Sequence, residues 1–379
     1  MPGAETTNPS VFLYGPGNAK IEDRPEPRIT DPTDAIVRIK FVGVCGSDVH
    51  FWTAGGVNGK NVSCTNPLVM GHEASGTIHA VGSSVTHLSP GDNVAIEPGQ
   101  PCRCCERCKE GLYNLCPRMR FAACPATSDR PGTDGTDGTL TKYYKIPADF
   151  CYKLPPGVSL QEGVLAEPLA VAAHAVRMVD VRPGKTQSVV VFGSGTIGLL
   201  CGAVARMFGA KKIVAVDVLD HKLEFARGFI QGARTFKPDL GASPQENARR
   251  LIEVHELGSG ADAVIEASGA ESSVVTAVHV LRPGGSCVQT GLGKAVVNFP
   301  ILAMSEKELH VHGAFRYGPG DYKVAMDVLE AGSIPIKSLV SRIFDFEQAT
   351  DAWEATRRGQ GIKNMIRGFG YRDPARTHL

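Results

Sequence analysis

The run Gly193-Ser194-Gly195-Thr196-Ile197-Gly198 limits the fold of this 379-residue chain more than any other feature. Glycine is abundant here, at 43 residues, so the G-x-G-x-x-G spacing carries little by itself. Its setting gives it meaning: a β-branched run, Ser188 to Phe192, precedes it, and a helical stretch to Phe208 follows. In that setting the glycines permit a tight turn, close approach of backbone to a pyrophosphate, and close packing of helix on strand. The helix N-terminus then offers free N–H groups and partial positive charge to phosphates. Further apolar runs, at Lys212–Val218, Asp262–Ala267, Ser286–Gln289 and Glu308–Gly313, alternate with helical stretches. They predict βαβ units on a parallel sheet. Helices near Asp321–Ala331 and Glu347–Arg358 follow, separated by a turn at Pro335. The nearly uncharged segment Val189–Ala205 is accounted for by the same strand and helix and is not read as a membrane span.

Asp217 closes the second of these runs, 19 residues after Gly198. A carboxylate there accepts hydrogen bonds from ribose hydroxyls and repels a 2′-phosphate, which favours NAD over NADP; a surface aspartate capping the next helix is the plainer alternative. Lys222 reads equally as an adenosine-ribose contact or as a solvated side chain.

The first 160 or so residues have a different texture, with many turns and short β runs such as Ala35 to Lys40, and predict an irregular strand-rich domain. Thr133 to Gly138 reads as a loop, because its Asp/Gly doublets lack calcium-ligand spacing. Forty basic against 39 acidic side chains leave no excess to neutralise a nucleic-acid backbone or an anionic membrane. The N-terminus carries no secretory pattern, and the final Thr377-His378-Leu379 is too far from Ser-Lys-Leu to count as a peroxisomal address. Eleven cysteines, an odd number, therefore point to a reducing, cytoplasmic setting with thiols used for metal or packing.

Cys102, Cys105, Cys108 and Cys116 form C-x2-C-x2-C-x7-C. Four thiolates at this spacing can close a tetrahedron around Zn²⁺ with no position left for a substrate, so such a site is structural. The same spacing also suits an iron–sulfur cluster. Cys104, inside the run, is spare. A looser group comprises Cys45-Gly46-Ser47-Asp48-Val49-His50 and Gly71-His72-Glu73. A thiolate, an imidazole and a carboxylate can hold zinc with one position open. A merely buried Cys45 and a hydrogen-bonded His72 are the commoner arrangement for such residues. Neighbouring side chains diverge on a regular strand, so joint ligation by His72 and Glu73 requires a turn or helix start there.

Taken together, the Cys-Gly-Ser-Asp-x-His stretch, the Gly-His-Glu, the four-cysteine lobe and GSGTIG resemble the zinc-containing medium-chain dehydrogenases, from about Ala35 to Ile366. Leu165-Ala166-Glu167-Pro168-Leu169-Ala170-Val171 and Phe315-Arg316-Tyr317 are similar to the polyol branch, and FRYGPGDY (Phe315 to Tyr322) to its xylitol-oxidising members more than to those for sorbitol or L-arabinitol. The resemblance implies an α/β protein: a Rossmann doubly wound parallel sheet (161–314) between a strand-rich GroES-like catalytic domain (1–160) and its return segment (315–379). It implies NAD and two zinc ions. Cys45, His72 and Glu73 would hold the catalytic zinc, with Glu167 as a second or alternating carboxylate bonded to the zinc-bound water. Alcohol-dehydrogenase relatives carry a cysteine ligand at that position. The four-cysteine lobe would hold the structural zinc.

The expected reaction is oxidation of a secondary alcohol of a small polyol, xylitol to D-xylulose favoured, with NAD⁺ as hydride acceptor. Ser47 and His50 would relay the proton. Phe51 and Phe121 would form apolar walls, and Glu167, Arg316 and Tyr317 would hold substrate. Thr290, Gly291, Leu292, Ala314, Phe315 and Arg316 would line the nicotinamide end. A tetramer is the expected assembly, and residues 121–142, longer than in typical relatives, would reshape the pocket rim. A non-catalytic nucleotide-binding protein is the rival reading. It has no need of Cys45, His72, Glu73 and Glu167 together. A zinc-ribbon nucleic-acid module around Cys102 to Cys116 is weakened by the balanced charge.

Overall fold

A computed structural model describes residues 7–57, 60–125 and 135–372. Thr133 and Asp134 of the expected loop, the middle of the 121–142 segment and the final tripeptide lie outside these residues. The chain divides into two compact units, residues 1–167 with 326–379, and residues 168–325.

The second unit is built on six parallel strands, because its βαβ crossovers return each strand in the same direction. Their order across the sheet is Arg234–Phe236, Lys212–Val216, Ser188–Phe192, Ala261–Glu266, Leu281–Gln289 and His310–Gly313. This is the 3-2-1-4-5-6 order of a doubly wound fold, with its reversal between Ser188–Phe192 and Ala261–Glu266. All five residues of the SVVVF strand are buried, as expected of an inner strand covered on both faces. The strand after Gly209 stops at Val216, two residues short of the expected end. There the Asp217 carboxylate turns the chain by accepting from the Leu219 N–H at 3.0 Å. The Leu281–Gln289 strand begins five residues earlier than its apolar run, with an irregularity in its pairing to Ala261–Glu266. Helices Thr196–Met207 and Asp321–Ala331 fall where periodicity places them. Among the described residues, no helix is long and apolar enough to cross a membrane.

The first unit is organised by one ten-residue strand, Asp34–Gly43, which pairs with Glu73–Val81, Tyr143–Pro147 and Lys363–Arg367. The seven-stranded sheet around it is completed by Asn93–Ile96, Cys151–Lys153 and Val340–Phe344. Residues from the chain's end thus supply the two strands beyond Asp34–Gly43. The helix Ala349–Arg357 lays Trp353 into the core, where its ring lies 5.5 Å from that of Trp52. Trp52 belongs to the short helix Gly46–Ala54, so this packing ties the end of the chain to the segment bearing Cys45 and His50.

Trp353 is 1 % exposed. Trp353→Ala is expected to destabilise the unit by about 3–5 kcal/mol, the range for deleting a buried large aromatic. Urea unfolding followed by circular dichroism reads the change, and a loss below about 1 kcal/mol would show that the site collapses around the cavity.

Candidate active site

Cys45, His72 and Glu73 bring one donor atom each to within 4.8 Å of one another. Cys45 caps the helix Gly46–Ala54, and Asp48 at the third helical position accepts from the Cys45 N–H at 2.9 Å. His72 and Glu73 follow Gly71, whose φ of 88° lies in the left-handed region. That turn sits just before the Glu73–Val81 strand begins, so two adjacent side chains reach the same point without breaking strand alternation. A Cβ at position 71 would fall 2.8 Å from Val42 and 3.0 Å from Leu140, so glycine is required by space as well as by φ.

Glu167, in the first turn of Ala166–Met178, is buried beside this group. Burial above all pushes its carboxyl up to about 8; His72 opposes the rise, while Glu73 and Cys45 add to it. Burial likewise pushes the Cys45 thiol up to about 11, helped by Glu73, and a hydrogen bond from the Ser47 side chain pulls the other way. His72 Nδ1 lies 3.7 Å from Asp48 Oδ1, and its ring centroid 5.6 Å from that of Phe121. His50, on the same helix, is half-buried, and Phe51 is packed into the core of the unit.

The group contains a cation that sequence reasoning missed. Lys363 Nζ donates to both oxygens of Glu73, at 2.9 and 2.7 Å, and to the Val44 carbonyl at 3.1 Å. Burial pulls its ammonium down, yet Glu73, Cys45 and Glu167 together hold it above its ordinary value. A soft thiolate, an imidazole and a carboxylate around one point suit Zn²⁺, and three ligands leave one position of its tetrahedral shell open.

The four cysteines of the second group also converge, with one sulfur each inside 4.8 Å. Cys105 Sγ lies 3.5 Å from Cys108 Sγ and 3.8 Å from Cys116 Sγ. Four thiols and no carboxylate in one cluster suit a closed structural zinc. The spare Cys104 is exposed and receives an Arg118 hydrogen bond at 2.9 Å, while the same guanidinium nitrogen reaches Cys102 Sγ at 3.2 Å.

In the second unit the glycine run forms the expected turn between Ser188–Phe192 and Thr196–Met207. A Cβ on Gly198 would fall 1.7 Å from the Gly193 carbonyl oxygen, whereas one on Gly195 would meet nothing within 4 Å. Gly198 thus serves helix–strand packing, and Gly195 leaves backbone open to an approaching ligand. Thr196 and Ile197 open the helix behind it. Asp217 accepts from the Ser194 N–H at 2.8 Å, which ties the acidic residue to the turn. Lys222 is half-buried in the helix Asp220–Phe229. Thr290 and Gly291 both donate backbone N–H groups to the Glu266 carbonyl at 2.8 Å, Leu292 is exposed, and the Ala314 N–H donates to the Gln289 carbonyl at 2.9 Å. Phe315 is partly exposed with the Arg316 guanidinium 4.7 Å from its ring centroid, and Arg316 has a left-handed φ of 60°. Tyr317 is buried edge-on against Tyr322. Asp321, a further residue not foreseen, fixes this stretch by accepting from the Gly318 N–H at 2.8 Å and from Arg177 at 2.5 Å, with His174 Nδ1 at 2.9 Å.

Residues 31–156 match the alcohol dehydrogenase GroES-like domain, and residues 196–331 the zinc-binding dehydrogenase domain. A probable D-xylulose reductase A of Aspergillus terreus is 53 % identical over 96 % of this chain and 98 % of its own length. The chain belongs to the zinc-binding alcohol dehydrogenase family. D-xylulose reductase A of Aspergillus niger is 51 % identical over 95 % of this chain and 97 % of its own. Among solved structures, L-idonate 5-dehydrogenase of Escherichia coli superimposes with a TM-score of 0.83 at 27 % identity, covering 96 % of this chain and 98 % of the other. Membership makes the chain a zinc-binding oxidoreductase.

Lys363 lies 290 positions from Glu73, in a run whose neighbours Met365 and Ile366 are core residues, so no local motif announces it. Removing one partner of a buried pair leaves an uncompensated charge. Lys363→Met is therefore expected to cost the metal-free dehydrogenase about 3–5 kcal/mol. Adding Glu73→Leu should restore most of that, since an apolar pair of similar volume is often neutral. Denaturant unfolding in a chelator measures both. A single-variant cost that the second substitution fails to relieve would place the role of Lys363 outside the pair.

Proposed function

We propose that this dehydrogenase interconverts xylitol and D-xylulose with NAD⁺/NADH, using a catalytic zinc. The observation that carries the proposal is the convergence of Cys45, His72 and Glu73, with Glu167 buried beside them, in a chain about half identical, over nearly its whole length, to D-xylulose reductases. Cys45, His72 and Glu73 would hold the catalytic zinc with Glu167 as the neighbouring carboxyl, and Cys102, Cys105, Cys108 and Cys116 the structural one. A secondary alcohol becomes a ketone by losing a proton from oxygen and a hydride from carbon. When bound, zinc supplies the Lewis acidity that eases the first loss, and the nicotinamide takes up the second.

The remaining work falls to side chains. Ser47, two residues from Cys45 on the Gly46–Ala54 helix, accepts the hydrogen bond of the reacting hydroxyl, and His50, one helical turn on, passes the proton outward. Phe121, beside the His72 ring, and Phe51 exclude water. Arg316, Tyr317 and Glu167 hold the other hydroxyls of the polyol. The Gly193–Gly198 turn cradles the pyrophosphate, Lys222 contacts the adenosine ribose, and Thr290–Leu292 with Ala314–Arg316 receive the nicotinamide half. Asp217 is the selector for NAD over NADP, since its carboxylate accepts from ribose hydroxyls and repels a 2′-phosphate.

Initial rates with xylitol, sorbitol, L-arabinitol and ethanol, each with NAD⁺ and NADP⁺, test the proposal. Xylitol with NAD⁺ is expected to be fastest, by at least about tenfold in kcat/KM over NADP⁺, equivalent to about 1.4 kcal/mol. Turnover should be lost on chelation. Faster oxidation of another polyol would overturn the substrate, and equal rates with NADP⁺ would overturn the role of Asp217. The proposed assembly is a homotetramer, and light scattering on the same preparation is expected to give four times the chain mass of 40.3 kDa. A monomer or dimer mass would reject it.

A further inference from the structure

Glu266 closes the Ala261–Glu266 strand, at the carboxyl end beside the reversal in strand order, and is fully buried at 0 % exposure. Its partners are N–H groups and a hydroxyl, not cations. Oε1 accepts from the Ser268 N–H at 3.0 Å, from the Ser268 hydroxyl and from the Gly269 N–H at 3.2 Å. Oε2 accepts from the same Gly269 N–H at 2.9 Å and from Gln289 Nε2 at 2.7 Å. Gln289 Nε2 also donates to the Gly291 carbonyl at 2.8 Å, and the Glu266 backbone carbonyl takes the N–H groups of Thr290 and Gly291. One residue therefore binds the loop after its own strand to the loop after the next.

The two loops touch. A Cβ on Gly291 would fall 2.3 Å from the Gly269 nitrogen and 2.8 Å from Glu266 Oε2, and one on Gly293 would fall 1.8 Å from the Gly269 carbonyl oxygen. Burying a carboxylate without a cation is expensive, and a plain turn needs only a hydroxyl or an amide. A carboxylate accepts at both oxygens and carries no donor, so it alone can gather this many N–H and O–H groups at one point. The second loop also holds an unfinished contact: Thr290 Oγ1 is buried with no hydrogen-bond partner. A buried hydroxyl left unsatisfied in a rigid loop at a ligand-binding sheet edge is itself a pointer to a ligand.

We propose that Glu266 is a positioning residue for the nicotinamide half of the dinucleotide. By locking the 267–269 loop to the 289–291 loop, it fixes the Thr290 hydroxyl where the ligand completes its hydrogen bonding. The proposal rests on the dinucleotide reading above, and the adenosine half, which that reading assigns to Gly193–Gly198 and Asp217, takes no part in it.

This separation supplies the test. Kd values for NADH, by protein-to-nicotinamide fluorescence transfer, and for ADP-ribose, by calorimetry, are measured on the full-length protein and on Glu266→Gln, Gln289→Leu and Thr290→Val. NADH is expected to weaken by about tenfold or more in Glu266→Gln and by a smaller factor in the other two. ADP-ribose affinity should stay unchanged in all three. Equal weakening of both ligands would reduce Glu266 to general support of the sheet, and unchanged NADH binding would remove it from the site, so either result overturns the proposal. If Glu266→Gln does not fold, Gln289→Leu and Thr290→Val carry the same comparison. Failure of the unsubstituted protein to bind ADP-ribose would instead overturn the dinucleotide reading itself.

Discussion

The ion pair between Lys363 and Glu73 is the interaction on which the catalytic unit depends. Both side chains are buried, Nζ bonds both carboxylate oxygens, and the two residues sit on strands flanking the central Asp34–Gly43 strand. Desolvating two charges is favourable only when geometry is good and the remaining donors are satisfied. The third bond, to the Val44 carbonyl, meets that requirement from the backbone that leads to Cys45. The pair therefore couples three segments, the strand after His72, the approach to the Gly46–Ala54 helix and the strand at the chain's end. A unit assembled from both ends of a chain needs such a contact where its ends meet.

The dinucleotide unit solves a different problem by different means. Its inner strands are largely apolar, so the sheet is held by burial and backbone pairing, and polar groups gather at the strand ends, the carboxyl ends among them. There the chain places glycines where backbones must touch, at Gly198 against Gly193 and at Gly291 against Gly269. It places carboxylates where N–H groups gather, Asp217 on Ser194 and Leu219, and Glu266 on Ser268, Gly269 and Gln289. Close backbone approach and acidic acceptors are two halves of one device, since loops that crowd together turn their N–H groups toward a common point.

This division explains what could be read from the sequence. The parallel sheet was legible because buried strands and amphipathic helices leave periodic signals, and Ser188–Phe192 and Asp321–Ala331 lie where those signals put them. The four-cysteine cluster was legible because its ligand spacing is short, whereas Cys45, with 26 residues between it and the adjacent His72 and Glu73, was joined to them only through the family resemblance. Lys363, Asp48 and Asp321 were not. Each acts on a partner fixed by tertiary packing, and a lysine beside an apolar strand or an aspartate at a helix start has a common surface use. The ends of strands were also hidden, because the Asp217 side chain stops its strand through hydrogen bonds that hydropathy does not register.

Charge in the catalytic cluster completes the argument. Cys45, Asp48, Glu73 and Glu167 bring four acidic groups into one buried cluster against the single positive charge of Lys363. Without a further cation, burial above all, with mutual repulsion, holds back the Cys45 thiol, at about 11, the Glu167 carboxyl, at about 8, and the Asp48 carboxyl, which is also raised. A divalent ion would lower that excess and favour the ionised form of every neighbouring acid. The cluster therefore holds more acidic groups than its one lysine can neutralise, which is the electrostatic setting that suits a divalent metal.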